Sequence, residues 1–117
     1  MKTDLKLLFI ILNQEEYLDE LLEAFVEIDV RGATIIDSVG MGQIISHDIP
    51  IFGGIRSLIN GSRPYNKTLF TVVPHEKVAE VVKVFEQVCG ALDKPGVGLI
   101  FTVPIDFVAG MKNEPLV

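Results

Sequence analysis

The sequence predicts an α+β domain in which the elements follow the order βαββαβ. Two stretches carry apolar residues at helical spacing, and each lies between short apolar runs that are typical of strands. The 117 residues are enough for one domain with a modest core. We therefore interpret residues 1–117 as a single domain with one sheet and two helices.

The first half of the chain begins with the apolar run Leu5–Leu12, which has the length of a strand. Asn13 follows, with Glu16 three residues later, and this capping-box spacing predicts the start of a helix over residues 14–29. Residues 31–40 then predict the second strand. The apolar stripe of the helix is formed by Leu18, Leu21, Leu22, Phe25 and Ile28.

The second half repeats the pattern of strand, helix and strand. Thr68–Val73 predicts the third strand, and Pro74 suits the start of a helix. We expect Gly90 to end that helix and Val97–Val103 to form the fourth strand. The apolar stripe of this second helix is formed by Val78, Val81, Val82, Phe85, Val88 and Cys89.

Both sides of the predicted sheet are apolar. In the first strand Leu7 and Phe9 lie on one side and Leu8 and Ile10 on the other, because alternate residues of a strand face opposite ways. The order βαββαβ is that of the ferredoxin-like arrangement, an antiparallel sheet with both helices on one face. Two helices leave the other apolar face uncovered, so we expect a second copy of the chain to cover it in a homo-oligomer.

Composition narrows the classes of function. The net charge of -6 argues against nucleic-acid binding, and a single cysteine excludes an internal disulfide. The apolar run Leu7–Leu12 is far shorter than the roughly 18 residues that a membrane-spanning helix needs. Met1–Leu12 lacks the small-residue cleavage site of a signal peptide, so we expect a cytoplasmic protein.

The connection between the second and third predicted strands, about residues 40–67, is unusually long. Most connections in compact domains have about 4–6 residues, and much longer ones are usually functional or disordered. Its many isoleucines argue against disorder. Arg56, Arg63 and Lys67 are accompanied there by Asp48 alone, so the connection could bind an anion, whereas the acidic residues 15–29 predict a solvated helix face.

Two segments resemble the P-II signalling family, the trimeric nitrogen-regulatory proteins. AFVEIDVRGATIIDSVGMG is similar to the end of that family's first helix, its second strand and the Gly-Phe-Gly that begins its T-loop. GVGLIFTVPID is similar to its B-loop, usually Gly-Asp-Gly-Lys-Ile-Phe-Val. The resemblance covers about residues 5–105 and implies a regulatory protein that is not an enzyme.

The resemblance also implies an effector site in the clefts between the subunits of a homotrimer. The effectors of the family are ATP or ADP, with 2-oxoglutarate and magnesium in many members, and AMP is a further candidate. The family's B-loop aspartate and lysine correspond to Val97 and Leu99, and its paired arginines after the fourth strand are absent. We therefore expect cations of the long connection to contribute. The expected ligand residues are Thr34, Gly40, Gly42, Gln43, Arg56, Arg63, Lys67, Gly96 and Gly98.

By the same resemblance, the long connection is a T-loop, an arm that contacts a partner protein such as a membrane transporter or a metabolic enzyme. An apolar segment of this arm is then the expected docking element, since exposed apolar residues mark interaction sites. The alternative is that the segment folds back on the chain's own sheet edge. The segment comprises Ile49, Pro50, Ile51, Phe52 and Ile55.

Two other classes of function stay open. A ferredoxin-like enzyme needs a nucleophile or an acid–base pair in one site, but His47, His75 and Cys89 lie in separate elements, so we assign no catalytic residue. A metal-responsive or structural trimer, like the divalent-ion-tolerance proteins, shares the βαββαβ core but resembles this chain less in the two glycine loops. His47 and Asp48 have no third ligand spaced nearby, so we assign no metal ligand.

Overall fold

The computed structural model describes residues 4–41 and 65–111. Within these ranges a turn of 3-10 helix precedes each of two α-helices, at Glu15–Tyr17 and at His75–Lys77. The strands are β1 (Leu5–Leu12), β2 (Thr34–Val39), β3 (Tyr65–Pro74) and β4 (Gly98–Pro104), and the helices are α1 (Leu18–Glu27) and α2 (Val78–Cys89).

The four strands form one sheet in the order β2-β3-β1-β4, and all neighbours in it are antiparallel. Both helices pack against the same face of this sheet. These features confirm the predicted α+β fold with ferredoxin-like βαββαβ order. No helix in the described ranges is long and apolar enough to cross a membrane.

The core lies between the helices and one face of the sheet. Leu8, Ile10 and Leu12 of β1 are at most 1% exposed, because alternate residues of the strand face the helices. The predicted helical stripes supply the opposite side of the core. The core residues of β3, α1 and α2 are Leu69, Val73, Leu21, Phe25, Val81, Phe85 and Cys89.

The start of α1 differs from the predicted capping box. Gln14 takes the capping position of the 3-10 turn, and no side chain caps it. Asn13 instead accepts a hydrogen bond from Asn66, with 3.3 Å between Nδ2 and Oδ1. The capping-box prediction was wrong because a residue distant in sequence takes the asparagine side chain as its partner.

The end of α2 agrees with the prediction. Gly90 follows the helix with a φ of +113°, a backbone conformation that other residues rarely adopt. Cys89, the last residue of the apolar stripe, is buried. Burial, with a smaller effect from the charge of Glu20, raises the pKa of the Cys89 thiol to about 11, which suits the packing role that we predicted.

β3 begins at Tyr65 and not at the predicted Thr68. Asn66 and Lys67 pair with Ser38 and Asp37 of β2, and this pairing extends both strands toward the long connection. Polar residues such as these have low strand propensity, so local sequence did not indicate the extension. The long connection between the two strands is therefore residues 40–64.

The sheet face that points away from the helices, here called the open face, is apolar as predicted. Phe9 stacks on Phe101, with ring centroids 4.8 Å apart, and its ring centroid lies 5.8 Å from that of Phe70. Phe101 remains 43% exposed. The open face consists of Leu5, Leu7, Phe9, Ile11, Thr34, Ile36, Ser38, Asn66, Thr68, Phe70, Val72, Pro74, Leu99, Phe101 and Val103.

Candidate effector site

The long connection leaves the sheet where β1 and β2 end and β3 and β4 begin, which we call the loop-base end. Leu12, the last residue of β1, pairs with Lys67 on one side and with Gly98 on the other. Gly40 follows β2, and Gly96 lies in the turn before β4. Strand pairing thus brings to one end of the sheet four of the predicted ligand residues, Gly40, Lys67, Gly96 and Gly98.

Lys67 lies on the helix side of the sheet, and its charge is already paired. Its Nζ contacts the Asp37 carboxylate of the neighbouring strand and lies 3.8 Å from Glu15 Oε1. The hydrogen bond from Lys67 to Asp37 is the main cause that raises the pKa of Lys67 above its usual value. Lys67 therefore ties β3 to β2 and to the turn before α1, and two carboxylates balance the charge that we predicted for an anionic ligand.

Four polar side chains form a hydrogen-bonded group at the same end of the sheet. This group, the polar cluster, consists of Asn13, Ser38, Asn66 and Thr68. Ser38 Oγ donates to Asn66 Oδ1 and lies 2.8 Å from Thr68 Oγ1. Asn66 Nδ2 donates to Asn13 Oδ1, and Asn66 is only 7% exposed. The cluster joins the residue that follows β1 to β2 and β3 on the open face.

Sequence reasoning missed the polar cluster. Its hydrogen-bonded members are separated by up to 53 positions, as between Asn13 and Asn66. Each one on its own looks like an ordinary turn or strand residue. The only signal in the sequence was that polar residues interrupt the apolar alternation at Ser38 and Asn66.

The two predicted glycines near β4 have different surroundings. Gly96 has a φ of +83°, and a Cβ built on it would meet nothing within 4 Å. A Cβ on Gly98 would overlap the carbonyl oxygen of Ile11 and lie 3.2 Å from Phe85 Cζ. Close packing of β4 on β1 and α2 therefore requires a glycine at position 98, whereas the backbone around Gly96 is open to a ligand.

Thr34 lies away from the loop-base end. It begins β2 and pairs with Phe70, in the same row of the sheet as Phe9 and Phe101. It lines a cleft of about 440 Å³ between the α1–β2 connection, the end of β3 and residues 108–111. The chain therefore holds Thr34 apart from the other described ligand residues.

Arg31 and Lys77 also line this cleft, although neither was among the predicted ligand residues. Arg31 Nε lies 3.0 Å from Asp29 Oδ1, and Lys77 Nζ donates to the carbonyl oxygen of Ile28 at 2.8 Å. Both cations are thus engaged within the chain. Their positions in the sequence did not indicate that Arg31 and Lys77 line one cleft, because the cleft forms only when β3 places Lys77 beside the end of α1.

The remaining predicted residues lie outside the described ranges, so their roles stay predictions. Within residues 4–41 and 65–111, no group of three or more His, Cys, Asp or Glu side chains could hold a metal ion. The predicted residues outside those ranges are Gly42, Gln43, Arg56 and Arg63 of the ligand set and Ile49, Pro50, Ile51, Phe52 and Ile55 of the docking segment.

The family of this chain follows from a match along nearly its whole length. The family described as nitrogen regulatory protein P-II matches residues 5–114. The chain belongs to the P-II family. P-II proteins are regulatory signalling proteins that form trimers, bind small effectors and bind partner proteins. No curated protein matches the sequence.

Solved structures share the P-II fold at low sequence identity. A protein of unknown function from Pediococcus pentosaceus is 17% identical, with a TM-score of 0.65, and the match covers 94% of this chain and 100% of that one. Arabidopsis thaliana PII bound to citrate is 16% identical, with a TM-score of 0.61, and the match covers 89% of this chain and 79% of that one. These likenesses support the fold.

Proposed function

We propose that this P-II protein is a homotrimeric regulator of a partner protein. An adenine nucleotide (ATP, ADP or AMP) or another small anion binds in a cleft between subunits. The bound effector shifts the conformational population of residues 40–64, and this arm carries the signal to the partner. The protein performs no catalysis, in line with the regulatory character of P-II proteins.

The distance between two of the predicted ligand residues, Thr34 and Gly98, is the main support for a site shared by subunits. Thr34 and Gly98 lie three residue positions apart along the strand direction and three strand spacings apart across the sheet. These offsets correspond to a distance of roughly 17 Å. The surface between them is the apolar open face, along which a phosphorylated effector would not lie. A neighbouring copy can instead bring its own Thr34 to the loop-base end, so that two subunits complete one site.

The composition of the open face supports self-association. None of its residues is charged, although the chain carries a net charge of -6. Copies of an acidic protein repel one another least along an uncharged surface. Ile36, Leu99, Phe101 and Val103 are each more than 40% exposed in the single chain, and packing against another copy removes them from water.

Backbone amides and cations of the long connection supply the anion contacts in this proposal. Gly96 has open surroundings, so its N–H can approach a phosphate. Because Lys67 is paired with two carboxylates, we expect Arg56 and Arg63 to contribute more than Lys67. These arginines replace the B-loop and C-terminal cations that the family has and this chain lacks.

The partner of this arm is a protein and not a nucleic acid, given the acidic net charge. Its apolar segment, from Ile49 to Ile55, is suited to docking on a membrane transporter or a metabolic enzyme. We place the protein in the cytoplasm, where P-II proteins generally act.

Thermal-shift measurements test the effector site. ATP, ADP, AMP and 2-oxoglutarate, with and without magnesium, are added to the wild type and to Phe101→Glu, which places a charge on the open face. A ligand that binds only the folded state raises the melting temperature. We expect at least one nucleotide to stabilise the wild type but not the variant.

Val26→Glu is the matched control, because Val26 is 53% exposed on α1, away from the open face. It should respond to the nucleotide like the wild type. A wild-type trimer that responds to no ligand would reject the nucleotide site. Equal stabilisation of a monomeric Phe101→Glu variant would show that one chain is sufficient, and would reject a site shared by subunits.

A further inference from the structure

The polar cluster has an unusual position within the open face. The open face carries no charged residue, and the side chains that β1, β3 and β4 contribute to it are mostly aliphatic or aromatic. Asn13, Ser38, Asn66 and Thr68 are gathered at one end of this surface and hydrogen-bond to one another. The open face is therefore asymmetric along its strands, with a polar end at the long connection and an apolar remainder.

We propose that the polar cluster sets the orientation in which copies of this chain pack, because the clusters of neighbouring copies lie against each other. This inference rests on the self-association in the proposed function. It adds to that function a specificity determinant within the interface.

The hydrogen-bonding capacity of the cluster favours a second copy as its partner. Hydroxyl and amide side chains both donate and accept, so one cluster is complementary to its own copy. Among the described residues, 4–41 and 65–111, Asn66 has a second N–H and the Asn13 amide nitrogen has two beyond the hydrogen bonds that those residues provide. A charged cluster would repel its copy, whereas this one is neutral.

The wrong orientation is disfavoured for a separate reason. A copy that packs in the opposite direction places apolar side chains such as Phe101 or Val103 over the cluster. Donors and acceptors that lose water without gaining a partner weaken the assembly. A single polar group within an otherwise apolar interface fixes register in the same way in coiled coils.

Charge substitution at Thr68 tests the contact between clusters. Thr68 is the member nearest the apolar remainder, because it pairs with Ile11 and Ile36. Thr68→Asp places like charges together wherever clusters meet, and so does Thr68→Lys. We expect each variant alone to dissociate at protein concentrations at least tenfold higher than the wild type, as measured by analytical ultracentrifugation.

An equimolar mixture of the two variants separates charge repulsion from misfolding. If the clusters meet, mixed assemblies pair Asp with Lys, and native mass spectrometry should detect oligomers that contain both chains. Thr102→Asp is the matched control, because Thr102 is exposed on the opposite face of β4. It should assemble like the wild type.

The outcomes distinguish the two proposals. A monomeric wild type would reject the self-association and this inference together. An oligomeric wild type whose Thr68→Asp variant assembles equally well would reject only the contact between clusters. Weakened single variants that gain nothing on mixing would also overturn it, because their defect would then be one of folding.

Discussion

At the scale of single residues, Gly98 shows how packing and ligand binding can demand the same amino acid. The resemblance to P-II proteins marked it as a residue that approaches an effector. The structure adds a reason that is independent of any ligand, since a side chain at this position would overlap the Ile11 carbonyl oxygen and crowd Phe85. Its neighbour Gly96 has no such constraint.

We predict that Gly98→Ala lowers the free energy of unfolding by roughly 2–3 kcal/mol, the cost of overpacking a filled site. Gly96→Ala should cost about 1 kcal/mol, because only its positive φ opposes a side chain. Urea denaturation without ligand, at one fixed protein concentration, measures both. Equal losses for the two variants would contradict the close approach of β4 to β1.

Lys67 shows that the sequence alone does not reveal whether a cation is free to bind a ligand. As a cation beside a long connection it was a reasonable ligand residue, but Asp37 and Glu15 engage it on the helix side of the sheet. Both carboxylates are distant in sequence, and only strand pairing and the turn before α1 bring them near. The sequence indicated the charge of Lys67 and could not indicate its partners.

At the scale of secondary-structure elements, the end of α1 carries local strain. Asp29 has a φ of +70°, which is rare for a residue other than glycine. The turn is held by backbone hydrogen bonds from Asp29 N to Val26 O at 3.0 Å and from Val30 N to Phe25 O at 2.8 Å. The chain therefore adopts at Asp29 a conformation that glycine provides at many helix ends.

We predict that Asp29→Gly raises the free energy of unfolding by about 1 kcal/mol, because glycine removes the steric cost of the left-handed conformation. The exposed ion pair with Arg31 is lost in the variant, but such pairs contribute little. Asp29→Ala is the control: it loses the same ion pair and keeps the strain. An Asp29→Gly protein no more stable than Asp29→Ala in thermal or urea unfolding would refute this account.

At the scale of the whole molecule, the open face leaves apolar side chains of the described residues exposed to water in the single chain. Its row of Phe70, Phe9 and Phe101 crosses three neighbouring strands. An exposed apolar surface of this kind marks an interaction site. The P-II family forms trimers, which provides a natural way to cover it.

We predict that the wild type is a trimer in native mass spectrometry and that Phe101→Glu is a monomer at micromolar concentration. Several buried charges would otherwise meet within an apolar interface, and each would lose its hydration. Circular dichroism should show that the monomer keeps its helices and strands. Val26→Glu should remain a trimer, and a trimeric Phe101→Glu would mean that subunits associate through another surface.

The sequence by itself determined the order of elements, the apolar character of both sheet faces and the resemblance to the P-II family. The resemblance rests on two glycine-containing segments, whereas the order of elements and the apolar faces follow from local periodicity, because a buried face needs apolar residues at the spacing of its strand or helix. The alternation of Leu8 and Ile10 with Leu7 and Phe9 predicts two apolar faces without reference to any neighbouring strand, and the stripe from Val78 to Cys89 likewise predicts a helix. Which face of the sheet the helices cover is known only from the structure.

Only the tertiary structure decided which side chains meet. The polar cluster, the pairing of Lys67, the extension of β3 and the distance between Thr34 and Gly98 all depend on the register between strands that are far apart in the chain. A hydrogen bond or ion pair acts over a few ångströms, and a shift of register by one residue would move each side chain to the opposite face. The composition of the open face is therefore a property of the sequence, whereas its polar end is a property of the fold.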